Sequence, residues 1–176
     1  FSPLLTRILA YKPDIIELGT TPPPTAGLVI RQARELGFKG QFVKIGGPGA
    51  PQIVGAAGKD FAEGLICYTV ADQTTPKYKW LEEQYAKVLK PPMNPFVVYF
   101  YDASNMLFAA MQKAGTVSDT DKVTQEMEKL TPYMGIQGKI LWGGKANYGV
   151  DHQILTPLYI GTIHNGQEQV ISKIEQ

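Results

Sequence analysis

The stretch ELGTTPPPTAGLVIRQARELGFKG, residues 17–40, decides the fold class. It follows Asp14-Ile15-Ile16, so a short apolar run ends at Gly19 and reads as a strand. After Pro24, the residues Leu28, Val29, Ala33 and Leu36 recur at helical spacing, and Gly37 sits where a helix is normally closed. Three prolines between strand and helix stop strand pairing, because proline has no N–H to give and holds φ near about −65°. Thr25 caps the helix, or the helix starts on the prolines as its first turn; the sequence allows both. Either way a stiff loop stands at the carboxyl end of a strand. In open parallel sheets ligands bind at such ends.

The pattern extends outward in both directions. Upstream, Phe1 to Leu9 reads as an amphipathic helix with Ser2 at the N-cap and Pro3 behind it. Downstream come an apolar strand from Gln41 to Ile45, the loop Gly46-Gly47-Pro48-Gly49, a short helix over Pro51–Ala57, and a strand around Cys67. Strands alternating with helices at this spacing imply an α/β unit with a parallel, doubly wound sheet. The middle differs: Pro76–Leu89, Phe96–Ala114 and Asp119–Leu130 read as three successive helices. The second of these is apolar on nearly all sides. Beyond it the chain returns to β, with Gly138–Trp142 and a hairpin over Leu155–Ile174 turned by His164-Asn165-Gly166.

Chemistry is thinly represented. The chain has 176 residues, a net charge of +1 and 19% charged residues, which gives no steering toward nucleic acid or a membrane surface. The single Cys67 reads as a buried structural thiol and leaves the redox compartment open. His152 and His164 read as solvated loop residues. No nucleophile elbow, Cys–His pair, metal spacing or phosphate-loop ending is present, so no catalytic residue, cofactor or metal is expected. Lys44 stands out inside an apolar strand, either snorkelling at an edge or serving as counterion for a ligand carboxylate.

Several segments together carry a resemblance: Asp14–Ile16 with Arg31–Gly37, Phe42–Gly47, Gly58–Gly64, Phe96–Ala103 with its Tyr101-Asp102-Ala103, and Gly138–Trp142. In this order they resemble the branched-chain amino acid (Leu/Ile/Val) substrate-binding proteins of ABC transporters, along essentially the whole chain. The resemblance implies a type I periplasmic-binding fold, two α/β lobes joined by three crossings and closing on a small ligand. It implies that residues 1–71 and 136–176 form most of lobe 2, with 72–135 as a helical segment of lobe 1. The lobe 1 sheet would then precede Phe1, and this chain would be a C-terminal portion completed by the missing segment or by a second copy.

The resemblance also implies the site. Thr20, Thr21 and Pro22 correspond to one loop lining lobe 2's side of the cleft, Gly46, Gly47 and Pro48 to its neighbour, and Phe96 to an aromatic contact. Amino-acid binders of this family carry an acidic residue in the second loop and often a tyrosine in the first. Here glycines and prolines stand instead, so a buried ligand ammonium would be left without a partner. A carboxylate without an amine is therefore the expected ligand. The implied function is non-enzymatic: an extracytoplasmic, periplasmic or extracellular solute-binding protein that delivers its ligand to an ABC permease. A ligand-sensing receptor domain of the same fold is the alternative, and a Rossmann-like enzyme the third reading.

Overall fold

The computed structural model describes residues 1–176. In chain order the elements are α1 (Ser2–Leu9), β1 (Ile15–Glu17), α2 (Pro23–Glu35), β2 (Gln41–Lys44), α3 (Ala50–Ala57), α4 (Lys59–Ala62) and β3 (Ile66–Thr69). Then follow α5 (Pro76–Val88), α6 (Phe96–Ala114), α7 (Thr120–Glu128), β4 (Tyr133–Met134), β5 (Lys139–Gly143), α8 (Lys145–Tyr148), β6 (Gln153–Leu155), β7 (Leu158–His164) and β8 (Gln167–Ile174). They form two compact units, one of Phe1–Thr69 with Tyr159–Lys173, the other of Val70–Leu158 with Ile174–Gln176. Residues 136–158, expected with the first unit, pack in the second. Their strands pair among themselves instead of joining the larger sheet.

Unit 1 is built on a five-stranded sheet ordered β1-β2-β3-β7-β8. The first three strands are parallel, and β7 runs antiparallel to β3 with Cys67 opposite Gly161. The expected parallel sheet is thus mixed, because the C-terminal hairpin joins its edge. Asn165 and Gly166 both take positive φ, 52° and 79°, as a two-residue hairpin turn of the I′ kind requires. Glu63 fastens that turn: its carboxylate accepts the Asn165 N–H at 2.8 Å and meets His164 Nδ1 at 2.8 Å. His164 is therefore exposed but not free. The core is a continuous apolar cluster of Leu5, Ile30, Phe42, Ile53, Leu65 and Ile163 with its small neighbours, under α1 to α4.

One helix start falls on one of the two alternatives the sequence allowed, and another differs from the sequence expectation. Helix α2 begins at Pro23 with Pro22 as its cap, so the prolines form its first turn and Thr25 lies inside. The fixed proline φ suits that turn, and the missing N–H is one that has no helical partner anyway. Ser2 lies inside α1 rather than capping it, with Phe1 at the N-cap.

Unit 2 holds α5, α6 and α7 and a three-stranded antiparallel sheet, β4-β5-β6. Thr75 caps α5 by accepting the Tyr78 N–H, Asp119 caps α7 through Lys122, and Gly115 closes α6 in the left-handed conformation. The Trp142 indole donates to the Met127 carbonyl at 2.8 Å, tying β5 to the end of α7. Helix α6 does have a buried side: Val98, Asp102, Met106 and Ala110, each four residues on from the last. Phe96, Phe100, Leu107 and Phe108 are exposed. No helix is long and apolar enough to cross a membrane.

Candidate ligand-binding site

Six of the seven expected site residues come together at the carboxyl ends of β1 and β2 in unit 1. Leu18 N–H donates to Val43 O at 2.9 Å, extending the β1–β2 pairing to the edge of the loops. Beyond it the two loops touch. A Cβ placed on Gly46 would lie 2.4 Å from Gly19 O and 2.8 Å from Thr20 N, so only glycine lets the backbones approach this closely. Gly49 takes φ +147°, and a Cβ there would strike the Pro23 ring at 2.3 Å. The proline loop and the glycine loop are therefore fitted against each other. Helices α2 and α3 start directly behind them, each with proline in its first two positions.

The group presented at this junction is mostly hydrogen-bond donors. The amides of Thr20, Gly46 and Gly47 have no acceptor within the protein, and neither do the hydroxyls of Thr20 and Thr21. Thr20, Pro22 and Gly46 are exposed, Thr21 and Gly47 half-buried, and Pro48 buried. Glu17 turns back on the first loop, its Oε2 accepting the Gly19 N–H at 2.7 Å.

Lys44 does not snorkel. It is 2% exposed, in register with Cys67 on β3, and its Nζ donates to Gly47 O at 3.1 Å from the buried side of the loop. Burial pulls its pKa below the usual lysine range, opposed by the charge of Glu17. The Cys67 thiol is pushed well up, by burial first and by Glu168 next, and stays a thiol. Glu168 reaches Cys67 Sγ at 3.6 Å, passing over Gly161, where no side chain stands in its way. Gln52, in the first turn of α3, has a buried Oε1 without a partner. A polar residue in a first helical turn gives no sequence signal of that kind. Lys44 gave one, as a charge within Phe42-Val43-Lys44-Ile45.

Phe96, the seventh residue, lies in unit 2 at the start of α6. Its N–H is held by Asn94 Oδ1 at 3.0 Å and its half-exposed ring lies 6.0 Å from that of Tyr99. No group of three or more His, Cys, Asp or Glu side chains is placed to hold a metal ion.

A family profile described as periplasmic binding protein matches residues 1–168. The chain belongs to the periplasmic binding protein family. It is 30% identical over 145 residues to the Leu/Ile/Val-binding protein BraC3 of Rhizobium johnstonii, a match covering 81% of this chain and 38% of that protein. It is 30% identical over 109 residues to a leucine-, isoleucine-, valine-, threonine- and alanine-binding protein of Pseudomonas aeruginosa, covering 61% of this chain and 29% of the relative. Among solved structures it resembles the leucine-binding protein LivK of Thermotoga maritima, with 26% identity and a TM-score of 0.78 over 99% of this chain and 48% of that one. The chain thus spans less than half the length of these periplasmic binding proteins. Their α/β fold is shared by both units described above.

Proposed function

We propose that this chain is part of an extracytoplasmic solute-binding protein of an ABC importer, and that its unit 1 supplies one wall of the ligand site. The observation that carries the reading is the junction of the two loops. Family membership directs attention to the carboxyl ends of β1 and β2, and there unclaimed amides and hydroxyls converge at Thr20, Thr21, Gly46 and Gly47. Donors of this kind suit a carboxylate. The two loops themselves carry no acidic residue for an ammonium. A small carboxylate lacking an α-amino group is therefore the ligand class, and the permease of the importer is the partner.

Calorimetry on the complete gene product tests this. Benzoate, phenylacetate or 4-methyl-2-oxopentanoate should bind, and leucine, isoleucine and valine should bind more weakly or not at all. The opposite order would overturn the ligand class. A second reading has its own observation: Glu17 is exposed beside the first loop, and relatives are named for leucine, isoleucine and valine. Tight leucine binding that collapses in Glu17→Gln would establish it.

The threonines give a further test. Replacing Thr20 or Thr21 with valine keeps the shape and removes a hydroxyl, and affinity should fall by about 1–3 kcal/mol for a lost buried hydrogen bond. Unchanged affinity in both variants would mean that the hydroxyls do not reach the ligand.

A further inference from the structure

Lys44 is more deeply covered than a lysine at a strand end ordinarily is, and it is poorly paid in hydrogen bonds. An ammonium has three N–H donors. One is used, on Gly47 O at 3.1 Å, and no carboxylate lies within ion-pair distance. Glu17 acts on it only at a distance and spends one carboxylate oxygen on the Gly19 amide. A buried cation left so is unfavourable unless another anion or acceptor completes it. Its position says where that anion belongs. Lys44 ends β2, and its side chain runs up to the underside of the same loop whose outer amides are unclaimed.

We infer that Lys44 is the specificity-determining residue of the loop site, making Gly46–Gly49 a receptor for a negatively charged ligand group. This rests on the reading that these loops receive the ligand. Two effects act together. The ammonium holds the Gly47 carbonyl inward, so that this oxygen does not face and repel an anion. The charge itself stays a loop's thickness away from the ligand, in surroundings that screen it little. A neutral ligand of the same shape gains the amide contacts but not the charge.

The test compares carboxylates with their primary amides on the complete gene product: benzoate with benzamide, phenylacetate with phenylacetamide, and 4-methyl-2-oxopentanoate with its amide. In the wild type the best carboxylate should bind more tightly than its amide by roughly tenfold or more, the scale of a charge interaction in a partly desolvated site. Lys44→Met, similar in length and uncharged, should bring that ratio close to one. Glu17→Gln keeps an acceptor for Gly19 and removes the opposing charge; it should tighten the carboxylate a few-fold and leave the amide unchanged. This second variant decides the matter if Lys44→Met fails to fold. Loss of carboxylate and amide binding in equal measure in Lys44→Met, or no change in Glu17→Gln, would reduce Lys44 to a structural support for the loop and overturn the inference. Wild-type protein that binds none of the three carboxylates would overturn the loop site itself, and the inference with it.

Discussion

Asp102→Ala should destabilise the protein by about 3–5 kcal/mol, read as a lower urea midpoint with an unchanged slope. Asp102 is 1% exposed in the middle of α6, and it is occupied on every side. Its Oδ1 accepts the Ile136 N–H at 2.9 Å, and its Oδ2 accepts the Gln137 N–H at 3.0 Å and the Gln137 side-chain amide at 3.1 Å. Gly135 passes so close that a Cβ there would lie 2.5 Å from Oδ2. Alanine would leave two buried backbone donors without acceptors and a void against the loop. Asp102→Asn should do less harm, because one acceptor oxygen remains. A loss under about 1 kcal/mol in the alanine variant would mean that water replaces the carboxylate, contrary to this account.

A second large effect concerns association. The chain as it stands should self-associate at high concentration through the outer side of α6, where Phe100 is 71% and Phe108 61% exposed, with Phe96 and Leu107 alongside. Covering two phenylalanine side chains contributes about 3–6 kcal/mol, more than a hundredfold in an association constant. Phe100→Ser with Phe108→Ser should therefore return the chain to a monomer in sedimentation or light scattering. A wild-type chain that is monomeric at high concentration, or a double variant that associates as strongly, would show that this side of the helix is not sticky in water.

Much of unit 1 was legible because its signals are local. The strand–proline–helix junction, the glycine loop and the Asn165-Gly166 turn each rest on a backbone requirement carried by a few adjacent residues. Elements β4, β6, α4 and α8 have two to four residues each, too few for any periodicity to show, whereas the equally short β1 to β3 stand out within longer apolar runs. Helix α6 was legible as a helix but not in orientation: with apolar residues on all sides, its pattern names no inner face. Asp102 would have been placed outward by polarity, and it is the inward residue, because Ile136 and Gln137 bring their donors to it from far along the chain. Lys44 repeats the lesson. Its charge suggested an edge, and the structure covers it, since Gly47 supplies a carbonyl and the loop closes above. At the candidate site the residue types were legible, while the contact of the two loops at Gly46 and Gly19 was not, being set by sheet register.

The discontinuity of unit 1 has a consequence for how the molecule is made. On a ribosome, β1 to β3 emerge first, and β7 and β8, which complete the sheet, come only after the whole of Val70–Leu158. Gly64 N–H to Ile163 O and Ile163 N–H to Leu65 O are bonds closed across that whole interval. Closure of so long a loop is slow relative to local pairing. Until then the outer side of β3 is a bare template for a foreign strand. A nascent chain halted before Tyr159 would hold its proline and glycine loops already shaped beside an open edge, which makes the synthesis of Val70–Leu158 the period in which this sheet most needs shelter.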